Sequence, residues 1–90
     1  MTIARPVNPY DRARIERRMP GARLTPLPAG AEHELGRTYL SGYWHQTYRV
    51  EAIHHDVPIW GTTVTVLWED GRETTHSTKL DPRCDYLVET

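Results

Sequence analysis

Two runs of alternating β-branched and polar residues, Thr62–Trp68 and Arg72–Thr78, form the clearest pattern in this chain. Alternation with a period of two is typical of β-strands that bury one face. The two runs are joined by Glu69-Asp70-Gly71, and a short connection that ends in glycine predicts a tight β-hairpin.

The turn of this hairpin allows two registers. A two-residue loop would pair Glu69 with Arg72 and would place His76 on the face away from the valines of the first arm. A three-residue loop with Gly71 in the left-handed region would instead pair Trp68 with Arg72, and would bring His76 onto or near the core face as a buried, hydrogen-bonded histidine. We favour the three-residue loop, because loops of this kind place their glycine last.

Three shorter segments with strand-like patterns predict three further strands, at about 36–40, 47–54 and 85–89. We expect His55-Asp56-Val57-Pro58 to break the second of them, and Asp81-Pro82-Arg83 to form a tight turn before the last. Five short strands with turns about every eight to twelve residues are typical of a small barrel or sandwich. The sequence therefore predicts a mainly β fold, a small five-stranded antiparallel barrel over residues 32–90.

The first third of the chain, residues 1–31, predicts a basic arm. After an extended lead-in over residues 1–9, Asn8-Pro9 is typical of a helix start, with Asn8 as the N-cap and Pro9 at the first helical position. The helix spans about 10–19, and Pro20-Gly21 ends it. Residues 20–31 hold three prolines and two glycines, which predicts an irregular linker.

Charge divides the chain at the same place. Residues 1–23 carry six arginines against two acidic residues, whereas residues 24–90 carry five basic residues against ten acidic ones. On the predicted helix Arg14, Arg17 and Arg18 share one face, and with Arg12 they could contact phosphates. The alternative is that the arm packs onto its own acidic body through salt bridges.

The order of the elements resembles the Src-homology-3-like (SH3-like) small barrels and, within them, the Tudor-type domains. The residues that carry the resemblance are Trp44, Tyr48-x-Val50, Thr63-x-Thr65-Val66-x-Trp68, Asp70-Gly71 and Leu80. Tudor domains bind methylated arginine or lysine in a cage of aromatic rings by cation–π attraction. The resemblance implies that Trp44, Tyr48 and Trp68 occupy three cage positions, while the hairpin turn lacks the fourth aromatic residue.

Catalytic and metal chemistry finds little support in the pattern. His54-His55-Asp56 together with His45 resembles a metal cluster, but adjacent residues of a strand point to opposite faces, so His54 and His55 cannot both ligate one ion without a bulge or turn. The single cysteine, Cys84, lacks a recognisable third catalytic partner beside His76 or an oxyanion element. We expect no enzyme activity, no metal and no cofactor. A lone cysteine and the lack of an apolar leader favour the cytoplasm.

The favoured function is a non-enzymatic interaction module associated with nucleic acid or nucleoprotein. In this hypothesis the arm contacts phosphate through four arginines, Arg12, Arg14, Arg17 and Arg18. An aromatic surface of Trp44, Tyr48, Trp60 and Trp68 stacks on or docks the ligand. The alternative is a protein–protein adaptor, in which the aromatic surface binds a peptide or partner domain and the arm packs in cis. A phage or plasmid accessory protein would fit either hypothesis.

Overall fold

The structure, a computed structural model, describes residues 7–81 and 84–90. One helix is followed by six strands: α1 (Pro9–Arg18), β1 (Arg23–Pro26), β2 (Thr38–Ser41), β3 (Gln46–Val57), β4 (Gly61–Trp68), β5 (Glu73–Ser77) and β6 (Tyr86–Glu89). The strands form one antiparallel sheet in the order β1-β6-β2-β3-β4-β5. The prediction of a mainly β fold with one short N-terminal helix is confirmed. Within the described ranges, no helix is long and apolar enough to cross a membrane.

The sheet has six strands where the sequence analysis predicted five. The added strand, β1, lies in the segment predicted as an irregular linker and pairs with β6 through Leu24 and Val88. Its short length and its proline suit a position at the edge of a sheet. The sheet is also open rather than closed, because over residues 7–81 and 84–90 no pairing joins β5 back to β1.

The long strand β3 departs from the prediction at its end. His55-Asp56-Val57 continues the strand instead of breaking it, and Val57 still pairs with Gly61 of β4. The pairing of β3 with β4 shifts register after Val50 and again after His54. Asp56, within the second shift, has a φ of 56°. Such bulges add a residue to one strand and bend it while pairing continues.

The helix forms where Asn8-Pro9 predicted it. Asn8 is the N-cap, and its side-chain oxygen accepts a hydrogen bond from the Tyr10 amide at 2.8 Å. At the other end, the Met19 amide donates to the Ile15 carbonyl at 2.7 Å, one residue before Pro20. The predicted extended lead-in over residues 1–9 and the predicted turn Asp81-Pro82-Arg83 fall largely on residues 1–6 and 82–83, which lie outside the described residues.

The β4–β5 hairpin has the favoured three-residue register. The Trp68 amide donates to the Arg72 carbonyl at 2.8 Å, and the Gly71 amide donates to the Trp68 carbonyl at 2.9 Å. Gly71 has a φ of 89°, a conformation that glycine adopts without steric cost. Val64 therefore pairs with His76, and the side chain of His76 is half-buried rather than fully buried.

Two groups of buried side chains make the core. The first is formed by side chains of β2, β3 and β4 together with Leu80, and contains Tyr39, Tyr48, Val50, Val64, Val66, Trp68 and Leu80. The second lies under the helix and contains Ile15, Leu40, Tyr86 and Val88. The helix is thus packed on the sheet through Ile15, which is only 1% exposed.

Candidate interaction site

The helical arm is held against the sheet by charge as well as by Ile15. Arg14 forms a salt bridge with Glu69, the first residue of the hairpin turn, and Arg18 forms a second one with an Nε–Oε2 distance of 3.1 Å. The guanidinium of Arg18 also donates to the Glu69 carbonyl at 3.4 Å. Two of the four arginines in the predicted phosphate-binding set therefore contact the protein's own body.

Glu69 is the centre of this contact. Its Oε2 accepts from the Thr47 amide at 3.0 Å and from the Thr47 hydroxyl at 2.9 Å, in addition to the two arginines. Burial acts to raise the pKa of Glu69, but the hydrogen bonds from Arg14 and Thr47 outweigh it and the pKa is lowered. The carboxylate therefore stays charged and bonded at neutral pH.

The other two arginines, Arg12 and Arg17, are exposed. In residues 7–81 and 84–90 neither of them forms a salt bridge, whereas Arg14 and Arg18 both contact Glu69. This arrangement matches the alternative in which the arm packs in cis.

Two residues of the predicted aromatic surface, Tyr48 and Trp68, are core residues instead. They are 5% and 8% exposed, and their ring centroids lie 4.8 Å apart. The Trp68 indole donates to the Thr74 hydroxyl at 2.8 Å, and the Arg72 guanidinium lies 5.6 Å from the Trp68 ring centroid. Their polar atoms are satisfied internally, as burial requires, so these rings do not form an open methyl-cation cage.

The sequence analysis missed His33, the buried histidine beside Tyr48. Its Nε2 lies 2.6 Å from the Tyr48 hydroxyl and its Nδ1 lies 2.6 Å from the Thr78 carbonyl. Burial lowers the pKa of His33, against an opposing effect of the hydrogen bond to Thr78. Its neighbours in sequence are Glu32 and Glu34, so no apolar pattern marks the position as buried.

Most of the exposed aromatic side chains in the described residues lie at or beside the turn between β2 and β3, residues 42–45. Tyr43 and Trp44 are 74% and 65% exposed, and their rings meet edge to face at 4.9 Å. Tyr10 of the helix is exposed beside them, with its ring 5.3 Å from that of His45. We call Tyr10, Tyr43, Trp44 and His45 the aromatic turn.

The backbone of the aromatic turn is firmly held. The His45 amide donates to the Ser41 carbonyl at 2.7 Å, and the Trp44 amide donates to the Ser41 hydroxyl at 3.2 Å. His45 has a φ of 57°, in the left-handed region that costs a non-glycine residue free energy unless its surroundings fix it. Here Asp11 helps to fix it, because its Oδ1 lies 2.7 Å from His45 Nδ1.

The turn also rests on the segment before β6. Gly42 lies so close to Cys84 that an added Cβ would stand 1.8 Å from the Cys84 carbonyl oxygen. The Gly42 amide donates to Asp85 Oδ1 at 3.3 Å. Asp11, Ser41 and Asp85 thus attach the aromatic turn to the helix, β2 and the segment before β6.

Trp60, the fourth residue of the predicted aromatic surface, is 72% exposed but lies elsewhere. It belongs to the β3–β4 turn, next to the fully exposed Ile59, and β3 runs the length of 12 residues between this turn and the aromatic turn. At a rise of about 3.3 Å per residue, the two exposed patches are at opposite ends of the longest strand. Trp44 and Trp60, which were predicted to share one surface, therefore belong to two separate exposed patches.

The histidines, acidic residues and cysteine were considered above for metal binding and catalysis, and the structure gives their surroundings. In residues 7–81 and 84–90, no group of three histidine, cysteine or acidic side chains could hold a metal ion. Cys84 lies with its Sγ 3.8 Å from Asp85 Oδ1, and burial together with the charges of Asp85 and Asp81 raises the pKa of its thiol to about 11. A thiol in that state is a poor nucleophile at neutral pH.

Comparison of the chain with protein-family models, with curated proteins and with solved structures gives no match.

Proposed function

We propose that this protein is a non-enzymatic protein–protein adaptor that binds its partner through the aromatic turn, with the basic arm packed in cis. The observation that carries the proposal is the exposure of Tyr43 and Trp44 on a turn whose backbone is fixed from several sides. Large aromatic side chains are the usual energetic anchors of protein interfaces. A preformed turn also loses less conformational entropy on binding than a flexible loop does.

The positions of the arginines favour this adaptor over a nucleic-acid-binding module. Arg14 and Arg18 both pair with Glu69, so part of the positive charge of the arm is neutralised within the protein. The sheet that carries the aromatic turn is acidic overall, and like charge disfavours the approach of a phosphate backbone. The succession β2-β3-β4-β5, with β6 beside β2, supports placing the chain among the SH3-like domains as part of the same proposal.

Site-specific photo-crosslinking tests the adaptor. A benzoylphenylalanine introduced in place of Tyr43, in cells that make the protein, is expected to trap one partner protein at a stoichiometry of one to one. The same photoreactive residue in place of Leu35 is the control, because Leu35 is 64% exposed against 74% for Tyr43 and precedes β2, whereas the aromatic turn follows it. The purified partner is then titrated calorimetrically against the wild type and the Trp44→Ala variant, which should bind at least about tenfold more weakly.

Two results would overturn the proposal. One is equal partner affinity for the wild type and Trp44→Ala. The other is tight binding of DNA or RNA at low salt that falls steeply with salt and is lost in an Arg12→Ala/Arg17→Ala variant, which would support phosphate recognition by the arm.

A further inference from the structure

The two edges of the open sheet are protected very differently. The edge strand β1 is four residues long, contains Arg23 and Pro26, and shares a buried cluster with helix α1 through Leu24 and Ile15. Short length, charge, proline and a covering helix are the usual means by which proteins prevent a sheet edge from pairing with another chain. The opposite edge strand, β5, reads Glu-Thr-Thr-His-Ser; it is five residues long and carries the charge of Glu73, but it has neither proline nor lysine.

The hairpin register shows which backbone groups of β5 face outward. Trp68 and Arg72 form a hydrogen-bonded pair, and antiparallel pairs alternate between bonded and non-bonded types. Glu73, Thr75 and Ser77 therefore direct their amide and carbonyl groups away from β4, and all three side chains are exposed. Within the described part of the chain no strand pairs with this stretch.

The open stretch is short and has a defined end. Just beyond Ser77 the chain is already paired, because Lys79 forms a bridge with Glu32. One of the outward groups also has a partner, since the Ser77 carbonyl lies 3.0 Å from His76 Nδ1. The edge thus offers room for a segment of about five extended residues rather than for a long strand.

An apolar groove lies beside the Ser77 end of this edge. Val57, Trp60, Thr63, Thr75, His76 and Ser77 line a cavity of about 350 Å³. Thr63 pairs with Ser77 and Thr65 pairs with Thr75, so these side chains share one face of the sheet. A strand added at the edge would place every second side chain on that face, and the one opposite Ser77 would reach the exposed Trp60 ring.

The Glu73 end of the edge is negatively charged, whereas the groove at the Ser77 end is apolar. Glu73 is exposed and, in residues 7–81 and 84–90, has no salt bridge. Asp70 lies beyond it and is paired with Arg72 at 3.6 Å, so a negative charge remains at Glu73. A basic side chain opposite Glu73 would complement that charge.

We propose that the outer edge of β5 binds an extended segment of a partner protein as an additional antiparallel strand, with an apolar side chain opposite Ser77 and a basic side chain opposite Glu73. Because the added strand is antiparallel, the apolar residue comes first and the basic residue follows four positions later. The backbone groups of Glu73, Thr75 and Ser77 supply affinity, while the Trp60 groove and the Glu73 carboxylate select the sequence. This site is separate from the aromatic turn.

The probe is the capped heptapeptide Ser-Val-Thr-Val-Thr-Lys-Ser, titrated to millimolar concentration into ¹⁵N-labelled full-length protein and followed by NMR. Shifts are expected at the amides of Glu73, Thr75 and Ser77, and those amides should gain protection from hydrogen exchange. Trp60→Ala should weaken binding about tenfold, whereas Trp44→Ala, on the aromatic turn, should leave it unchanged. Glu73→Lys should weaken binding, and a peptide with Glu in place of its Lys should restore it.

Backbone methylation tests the strand geometry without altering the protein. N-methyl groups on the first Val, the second Val and the Lys of the peptide remove donors that would face β5, and binding should be lost. N-methyl groups on the two Thr residues, which face away, should leave binding within about threefold. Thr75→Pro removes an outward donor of β5 and should abolish binding; its NMR spectrum shows whether the fold is retained, and the methylated peptides decide the question if it is not.

Three results would overturn the proposal. The first is no shift at β5 up to millimolar peptide. The second is equal loss of binding for both methylation patterns. The third is self-association of the peptide-free protein at micromolar concentration that Thr75→Pro abolishes in sedimentation equilibrium, because the edge would then pair with a second copy of this chain.

Discussion

Arg14 on the helix forms a salt bridge with Glu69 in the hairpin turn, across 55 positions of sequence. The contact joins the most basic segment of the chain to the turn that defines the register of the β4–β5 hairpin. This salt bridge therefore helps to explain why the helical arm is packed against the sheet and does not extend into solvent. The same carboxylate also accepts from Thr47 at the start of β3, so helix, strand and turn meet at one side chain.

Replacing Glu69 with Gln should destabilise the protein by about 1–3 kcal/mol, because hydrogen bonds to charged groups contribute about that much and two guanidiniums would lose their counter-charge. The free energy of unfolding is measured by urea titration followed by circular dichroism. Glu73→Gln is the matched control, since Glu73 is exposed and should change the stability by less than about 0.5 kcal/mol. Equal effects of the two substitutions would contradict the role assigned to Glu69.

Stability should fall on acidification in two separate ranges. The pKa of His33 is lowered in the folded protein, so unfolding takes up a proton and stability declines as the pH falls below the ordinary value of 6.5. The pKa of Glu69 is also lowered, so its contribution is complete above the ordinary value of 4.5 and is lost as the pH falls towards its folded pKa.

Thermal melts between pH 8 and pH 3 separate the two groups. The decline that begins near pH 6.5 should be smaller in a His33→Gln variant, while the decline below pH 4.5 should be smaller in Glu69→Gln. His55→Gln is the control, because His55 is exposed on β3. A His33→Gln profile parallel to the wild type would show that His33 does not cause the first decline.

Cys84 should resist alkylation while the protein is folded. Burial and the nearby carboxylates of Asp85 and Asp81 raise the pKa of its thiol to about 11, so only a small fraction is thiolate at pH 8. Mass spectrometry of iodoacetamide-treated protein should show slow modification in buffer and rapid modification in urea. Rapid labelling of the folded protein would mean that the thiol is more exposed or more acidic than this geometry allows.

Gly42→Ala should be more damaging than Gly36→Ala. A Cβ at Gly42 would stand 1.8 Å from a backbone oxygen, whereas a Cβ at Gly36 meets nothing within 4 Å and is opposed only by its φ of 81°. The expected cost at Gly36 is about 1–2 kcal/mol, from the left-handed conformation alone, and the cost at Gly42 should exceed it. Urea titration of the two variants measures the difference, and a Gly42 variant as stable as the wild type would be inconsistent with this packing.

Local chemistry made several elements predictable. Asn8-Pro9 supplies both the capping oxygen and the preset φ of a helix start, so the helix could be placed to within a residue. Gly71 permits the left-handed conformation that closes a three-residue loop, and that loop determined the register of the hairpin. These features depend on residues that are close together in the sequence.

The features that were missed depend on distant partners. β1 forms because β6, 60 to 66 positions away, provides its hydrogen bonds, and a Pro-rich segment gives no sign of that pairing. Tyr48 and Trp68 are buried because His33 and the β5 residues Thr74 and His76 pack around them. An alternating strand pattern shows which residues share a face, but it does not show which of those residues another segment will cover.

The position of β6 has a consequence for synthesis of the chain. This last strand lies between β1 and β2 and pairs with both, so residues 23–26 and 38–41 have no partner on that side until Tyr86–Glu89 has left the ribosome. The nascent chain can close the β3–β4–β5 meander early, because those strands are neighbours in sequence. Until β6 has left the ribosome, however, Leu24 and Leu40 lack the contacts of Tyr86 and Val88 and are accessible to chaperones.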